Sequence, residues 1–243
     1  MAPLKGYILP SGVYCAATHG EAPDTTLCHK RKKGMILTDI HTHNTERQGR
    51  SIYNSGAHYL SEIHISMGIH PWKISEAWRE ELLSIAESAK ADNVVAIGEC
   101  GIDKLKSTVS TELQEKVFKA HIELSEKLHK PLIIHCVKAY DRILALHREN
   151  KPAQAWIIHG FRGKPNLARQ LIRAGLHLSF GEHFNADSVA AVPDEKILIE
   201  SDESIKSIQE IYNAIAAARG TAIEELAMQT EKNATIFGQF ILL

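Results

Sequence analysis

From Met35 onward, short apolar, β-branched runs alternate with longer stretches of helical period, the pattern of a parallel sheet whose strands are joined by helices. The runs are MILTDI (35–40), SIYN (51–54), IHISMGI (63–69), NVVAIG (93–98), PLIIH (131–135), AWIIH (155–159), LHLSFG (176–181) and KILIES (196–201). Eight such strands predict a closed barrel. Helical spacing is clearest where Leu113, Val117, Ala120, Leu124 and Leu128 recur on one face; Thr111 and Gln114 read as a capping box, and Lys130 and Pro131 end the helix. Further helices are expected over 76–91, 140–149, 164–174, 205–219 and 222–236. The first two connections are too short for crossover helices. The predicted architecture is α/β, a (β/α)8 TIM-type barrel with abbreviated early βα units, and an open doubly wound sheet is the alternative.

Composition narrows the class. A chain of 243 residues, 44% hydrophobic, is long enough for one large core. Residues 1–34 show neither helical nor strand periodicity and end in the basic run Lys30 to Lys33, so they are expected to be a disordered leader or an over-extended start, with the folded domain spanning 35–243. Within that leader, the spacing of Cys15, His19, Cys28 and His29 matches none of the usual zinc-ligand pairs. A net charge of -1 argues against a protein that grips a long duplex through a basic surface. No apolar run approaches the roughly 18 residues of a membrane helix. Four scattered cysteines do not make a disulfide framework, which points to a reducing, cytoplasmic setting. The unusual count is 14 histidines.

Many of them fall where chemistry belongs in such a barrel, at the carboxyl ends of strands. The first strand runs into Asp39, His41 and His43, which share a face by the period of two; the fourth ends at Glu99, the fifth at His135, the sixth at His159 and the eighth at Asp202. One histidine at a strand end is ordinarily a packed or hydrogen-bonded residue. Five strands ending in ligand-type residues are not. Imidazoles and carboxylates without thiolates point to a catalytic divalent-metal site built from His41, His43, Glu99, His135, His159 and Asp202. Six such groups exceed the needs of one ion, so two ions bridged by Glu99 are expected, one with His41, His43 and Asp202, the other with His135 and His159. Asp202 is the group placed to orient or deprotonate a water. Asp39 is expected to support a ligand or the barrel interior, while Cys100 and Cys136 alternate away from the ligands as packing residues.

The loops after these strands are basic, with Arg47, Arg50, Lys73, Lys104, Lys106, Lys138, Arg142, Arg162 and Lys164, as surface loops commonly are. Arg162, Lys164 and Lys138 are candidate contacts to an anionic substrate, with Gly160 and Gly163 allowing backbone amides to approach a phosphate. His70, in GIHPW, is a candidate hydrogen-bond donor to a substrate oxygen.

The segments DIHTH (39–43), GIHP (68–71), IGECGID (97–103), PLIIH (131–135), IIHGF (157–161), ILIESD (197–202) and NATIFG (233–238) together resemble the TatD family of metal-dependent hydrolases, across about 35–243. The resemblance implies a (β/α) barrel, a centre of two divalent ions (magnesium, manganese or zinc) and hydrolysis of phosphodiesters. It also implies a deoxyribonuclease with 3′-to-5′ exonuclease character acting on DNA or oligonucleotide ends. The family's ligands fall on His41, His43, Glu99, His135, His159 and Asp202. The chain departs from the family pattern at Val137, where an arginine is usual, at Gly160, Phe161, Arg162 and Gly163, at Ser204 in place of a proline, and in the shortened stretch from His43 to Gly68. These departures touch the substrate groove and leave the ligands intact. The competing expectations are a metal-dependent hydrolase of a small amide, lactone or phosphate ester, and a metal-binding protein without catalysis. Glu99 stands where amide-hydrolysing barrels often carry a lysine, which disfavours an amidase.

Overall fold

The computed structural model describes residues 6–8, 14–16, 35–46 and 50–241. By its internal contacts the chain divides into Met1–Met35 and Ile36–Leu243. In the first unit, β1 (Gly6–Ile8) pairs antiparallel with β2 (Tyr14–Ala16). The rest of the expected leader, including His19, Cys28 and His29, lies outside the described residues, as does Arg47 in the second unit.

The second unit is the barrel. Its strands are β3 (Thr38–Thr42), β4 (Arg50–Gly56), β5 (Ile65–Met67), β6 (Val94–Asp103), β7 (Leu132–Val137), β8 (Trp156–Ile158), β9 (His177–Phe180) and β10 (Ile197–Ile199), parallel and paired in chain order. Each falls on one of the apolar runs. The ends of the sheet meet where the His43 amide donates to the Asp202 carbonyl at 3.1 Å and the Asp202 amide to the His41 carbonyl at 2.9 Å. Side chains seal the same seam: the Ser201 amide donates to Asp39 Oδ1 at 2.9 Å, and Ser201 Oγ lies 2.6 Å from Asp39 Oδ2. Asp39 thus braces the barrel wall. Burial pushes its carboxyl up to about 7 against the lowering effect of the Ser201 bonds.

Helices fill the later crossovers: α1 (Trp78–Ser88), α2 (Thr111–Leu128), α3 (Tyr140–Asn150), α4 (Pro165–Arg173), α5 (Ala186–Ala191), α6 (Ile208–Arg219) and α7 (Ile223–Asn233). The connections from β3 to β4 and from β4 to β5 hold no helix among the described residues. The six-residue α5 is too short for periodicity to reveal. At α2 the cap differs from the expected box. Ser110 is the N-cap and accepts from the Leu113 amide, while Gln114 turns inward. Its Oε1 accepts from the Asp103 amide at 2.8 Å, and its Nε2 donates to the Val109 carbonyl at 2.8 Å, so this glutamine fixes the end of β6. A true capping box forms at α6, between Ser207 and Glu210.

The main core lies between sheet and helices, with Phe118, Trp156, Phe161, Phe180 and Tyr212 almost wholly buried. A second cluster includes Ile52, Ile133, Ile157 and Leu198, packed with Phe237 from the C-terminal segment. By the period of two, those four share strand faces with Asn54, His135, His159 and Glu200. An apolar floor therefore supports the polar residues at the strand ends.

His121 of α2 ties that outer layer to the strand ends. It is fully buried, Nδ1–H donates to the Val117 carbonyl at 2.8 Å, and Nε2 accepts from the Ile69 amide at 3.0 Å, next to His70. Burial pushes its pKa down to about 4 from 6.5. The folded state therefore excludes a proton that the unfolded chain takes up below 6.5, so stability is lost as pH falls from 6.5 towards 4. At pH 5 this loss is about 2 kcal/mol. His121→Gln, which keeps a donor and an acceptor but does not titrate, is expected to lose correspondingly less stability between pH 7.5 and pH 5 in urea denaturation; parallel losses in both proteins would refute this role.

Candidate metal centre

Glu99 lies at the middle of the site. It sits on β6, where Gly101 has φ +145° and a side chain at that position would run into the His135 carbonyl of β7. The glycine lets the two strands close up, which brings Glu99 and His135 into contact. Glu99 is 3% exposed, and its two oxygens face different partners. Oε1 lies 2.7 Å from His135 Nδ1, 2.7 Å from His159 Nε2 and 3.2 Å from His70 Nε2. Oε2 lies 3.5 Å from His41 Nε2 and 3.7 Å from His43 Nε2, and accepts from Asn54 Nδ2 at 2.9 Å. Asp202 Oδ1 completes this second half, 3.9 Å from His41 Nε2 and 3.6 Å from His43 Nε2. The six residues expected from the sequence to share one site do meet, with His70 beside them.

Their hydrogen bonds fix how they face inward. His135 Nε2 meets Asp103 Oδ2 at 3.1 Å and His159 Nδ1 meets Glu200 Oε1 at 3.3 Å, so each ring has one nitrogen on an outer carboxylate and its other nitrogen on Glu99. Those two inner nitrogens are 3.3 Å apart. Two acceptors that close, beside a carboxylate oxygen, repel one another unless a cation or proton lies between them. Both nitrogens of buried His41 make no hydrogen bond at all. A divalent ion would relieve the first arrangement and take His41 Nε2 in the second, and three overlapping groups have ligand atoms close enough to hold one: His41, His43 and Glu99; His41, His159 and Asp202; His70, Glu99 and His135. His70 differs from the rest, because its Nδ1 accepts from the Trp72 amide at 3.1 Å and its neutral ring therefore presents Nε2–H as a donor.

The electrostatics agree. Burial pushes the Glu99 carboxyl up, but charge on His159 and hydrogen bonds from His135 and His159 outweigh it and hold it well below the ordinary range. Burial likewise lowers His159, yet Glu99 and Glu200 raise it well above the usual histidine value, and the nearby Glu99 carboxylate raises His43. Such a centre attracts cations. Asp202 is held at φ +53°, a backbone conformation that aspartate tolerates better than most residues, by the two main-chain bonds that close the barrel. Its side chain is 27% exposed, open to the mouth.

Three contributors were absent from the expected set: Asn54, Asp103 and Glu200. All three stand at or just past the ends of expected strands, Glu200 two residues before Asp202 and Asp103 four after Glu99. A cavity of about 400 Å³ opens over the centre, lined by His43, Asn54, His70, Trp72, Lys73 and Asp202 among others. Arg162 lines a neighbouring cavity of about 340 Å³ with Glu200, Asp202 and Ser204. Lys164 caps α4 and Lys138 follows β7 at φ +56°; both are exposed and line neither cavity. Arg50 pairs with Glu231, and Arg142 with Glu115 and Glu149, so these loop cations are engaged away from the mouth.

Comparison with known proteins gives a consistent result. The family model described as TatD related DNase matches residues 18–238. A Buchnera aphidicola protein named as an uncharacterized metal-dependent hydrolase is 30% identical over 190 residues, covering 70% of this chain and 71% of its own. The 3′-5′ ssDNA/RNA exonuclease TatD of Erwinia amylovora is 26% identical over 233 residues, covering 84% and 88%. Among solved structures, the TatD homologue YjjV of Escherichia coli superposes with a TM-score of 0.71 at 18% identity, covering 83% of this chain and 97% of that one. A TatD family hydrolase of Entamoeba histolytica gives 0.66 at 16% identity, with 84% and 98% covered.

The carboxylates behind the imidazoles give a first test. Glu200→Gln is expected to leave the fold intact and to weaken manganese affinity by roughly 10- to 100-fold in calorimetric titration. Unchanged affinity would make Glu200 a structural residue only.

Proposed function

Because this chain belongs to the TatD related DNase family of metal-dependent hydrolases, we propose that it hydrolyses phosphodiester bonds, removing nucleotides from the 3′ ends of DNA in a reducing, cytoplasmic setting. The observation that carries this reading is Glu99, whose two oxygens face two separate sets of imidazoles. A carboxylate so placed is suited to bridge two divalent ions, one held with His41, His43 and Asp202, the other with His135 and His159. Magnesium, manganese and zinc all suit this mixture of nitrogen and oxygen donors. Two such ions, when held there, would supply Lewis acidity toward a phosphoryl oxygen and would make water a better acid near neutral pH.

The chain's own groups do the rest. Asp202, anchored by its backbone and open to the mouth, takes the proton of the attacking water. Asp103 and Glu200 hold the His135 and His159 rings in the orientation the centre needs. His70 holds its Nε2–H 3.2 Å from Glu99 Oε1 in the lining of the cavity, where a non-bridging phosphate oxygen bound at the centre would share it. Arg162, on the rim beside Asp202, is placed for a phosphate one unit along the chain.

Glu99→Gln removes the charge of the bridging group and keeps its size. We expect its kcat on single-stranded DNA to fall by at least roughly 100-fold, the upper end of what the loss of a mere supporting partner costs. A chelator should abolish wild-type activity and added manganese or magnesium restore it. With 5′-labelled substrate, products should shorten stepwise from the 3′ end. Equal turnover by wild type and Glu99→Gln would sink the proposed centre. Turnover of phosphate monoesters without release of nucleotides would instead favour a small-molecule esterase.

A further inference from the structure

Beside the centre, the turn from Pro71 to Lys73 carries an indole that the core does not use. Trp72 is 44% exposed, whereas Trp78 and Trp156 are 7% and 1% exposed. It is nevertheless firmly held. Its Nε1–H donates to Asp103 Oδ2 at 2.7 Å, its amide donates to His70 Nδ1 at 3.1 Å, and Ser107 Oγ donates to the Pro71 carbonyl at 2.8 Å. The ring stands nearly perpendicular to His70 and His135, with centroids 4.6 Å and 5.6 Å away. Lys106 Nζ lies over the indole face, 4.9 Å from the ring centroid, and Lys73 lines the same groove.

An exposed indole leaves apolar surface in water, and one already oriented by hydrogen bonds needs only the exposed Lys106 head to swing aside before it can receive a planar partner. Base stacking has that requirement, with cations near the ring to meet the flanking phosphates. We propose that Trp72 is the base-stacking residue of the groove, receiving the nucleobase of the nucleotide next to the scissile bond, with Lys73 and Lys106 facing its phosphates. This assignment rests on the reading of the centre as a phosphodiesterase. Every base has an aromatic face, so stacking here fixes the position of the chain end with little preference for sequence.

The test uses the full-length, metal-loaded protein and three single-stranded oligomers of equal length: DNA, RNA of the same sequence, and abasic DNA. Trp72→Leu is expected to raise KM by roughly 5- to 100-fold on DNA, RNA or both, and to leave KM on the abasic oligomer near wild type. Trp72→Phe keeps a stacking face but loses the bond to Asp103, and should stay near wild type on all three. Equal losses on abasic and base-containing oligomers overturn the proposal. So does Trp72→Phe matching Trp72→Leu, which would make Trp72 a positioning residue acting through Asp103. Tryptophan emission gives a second readout, because the other two tryptophans are buried. A slowly hydrolysed phosphorothioate DNA should quench wild-type emission, and neither its abasic counterpart nor the Trp72→Phe protein should show the effect. If no oligomer is hydrolysed, the phosphodiesterase reading fails; the emission titration still decides the stacking, and absence of quenching overturns it.

Discussion

The Glu99 carboxylate is buried to 3% exposure in a protein interior, and it is ionised only because imidazoles surround it on both sides. Removing a lone carboxylate from water is expensive, and the group would ordinarily bind a proton instead. Here His135 and His159 approach one oxygen while His41, His43 and Asn54 approach the other. The imidazoles are in turn held by Asp103 and Glu200. Each charge in this arrangement requires its neighbour, so the site is all or nothing as a structure: a missing partner leaves an uncompensated group in a dry place.

Such an arrangement demands a scaffold that does not yield, and the barrel provides one at the seam where it closes. The same few residues do both tasks. Asp202 contributes its backbone to the junction between β3 and β10 and its carboxylate to the centre; Ser201, next to it, bonds Asp39 two residues before His41. Closure of the sheet therefore sets the distance between the first and last groups of the site. Packing of Ile52, Ile133, Ile157 and Leu198 beneath the polar residues keeps the strands from sliding.

Much of this was legible in the chain. All eight barrel strands, β3 to β10, follow from apolar runs, and the six principal site residues follow from what ends those runs, because parallel strands direct their carboxyl ends to one place. Less legible were groups whose role depends on which way a ring is turned. Asp103 and Glu200 follow the strand pattern, but a pattern does not reveal that they hold imidazole N–H groups. Gln114 misled for a related reason: its spacing from Thr111 suits a cap, and only the approach of α2 to the end of β6 gives its amide a better use. The loop cations were least informative. A lysine or arginine is long enough to meet a partner on another element, as Arg50 does with Glu231 of α7 and Arg142 with Glu115 of α2.

The shortened early connections shape what the centre can receive. With no helix in the described parts of the links after β3 and β4, the larger cavity extends from Asp202 and His43 across the ends of β4 and β5 to His58, Trp72 and Lys73. On the opposite side, Ser204 bonds Glu182 and Lys206 pairs with the same carboxylate, along the rim of the smaller cavity that Arg162 lines. The mouth thus holds two neighbouring cavities, one along β4 and β5 and one beside β10, and Asp202 lines both. For the phosphodiesterase proposed above, a polymer end would pass over Glu99 with Trp72 on one side and Arg162 on the other.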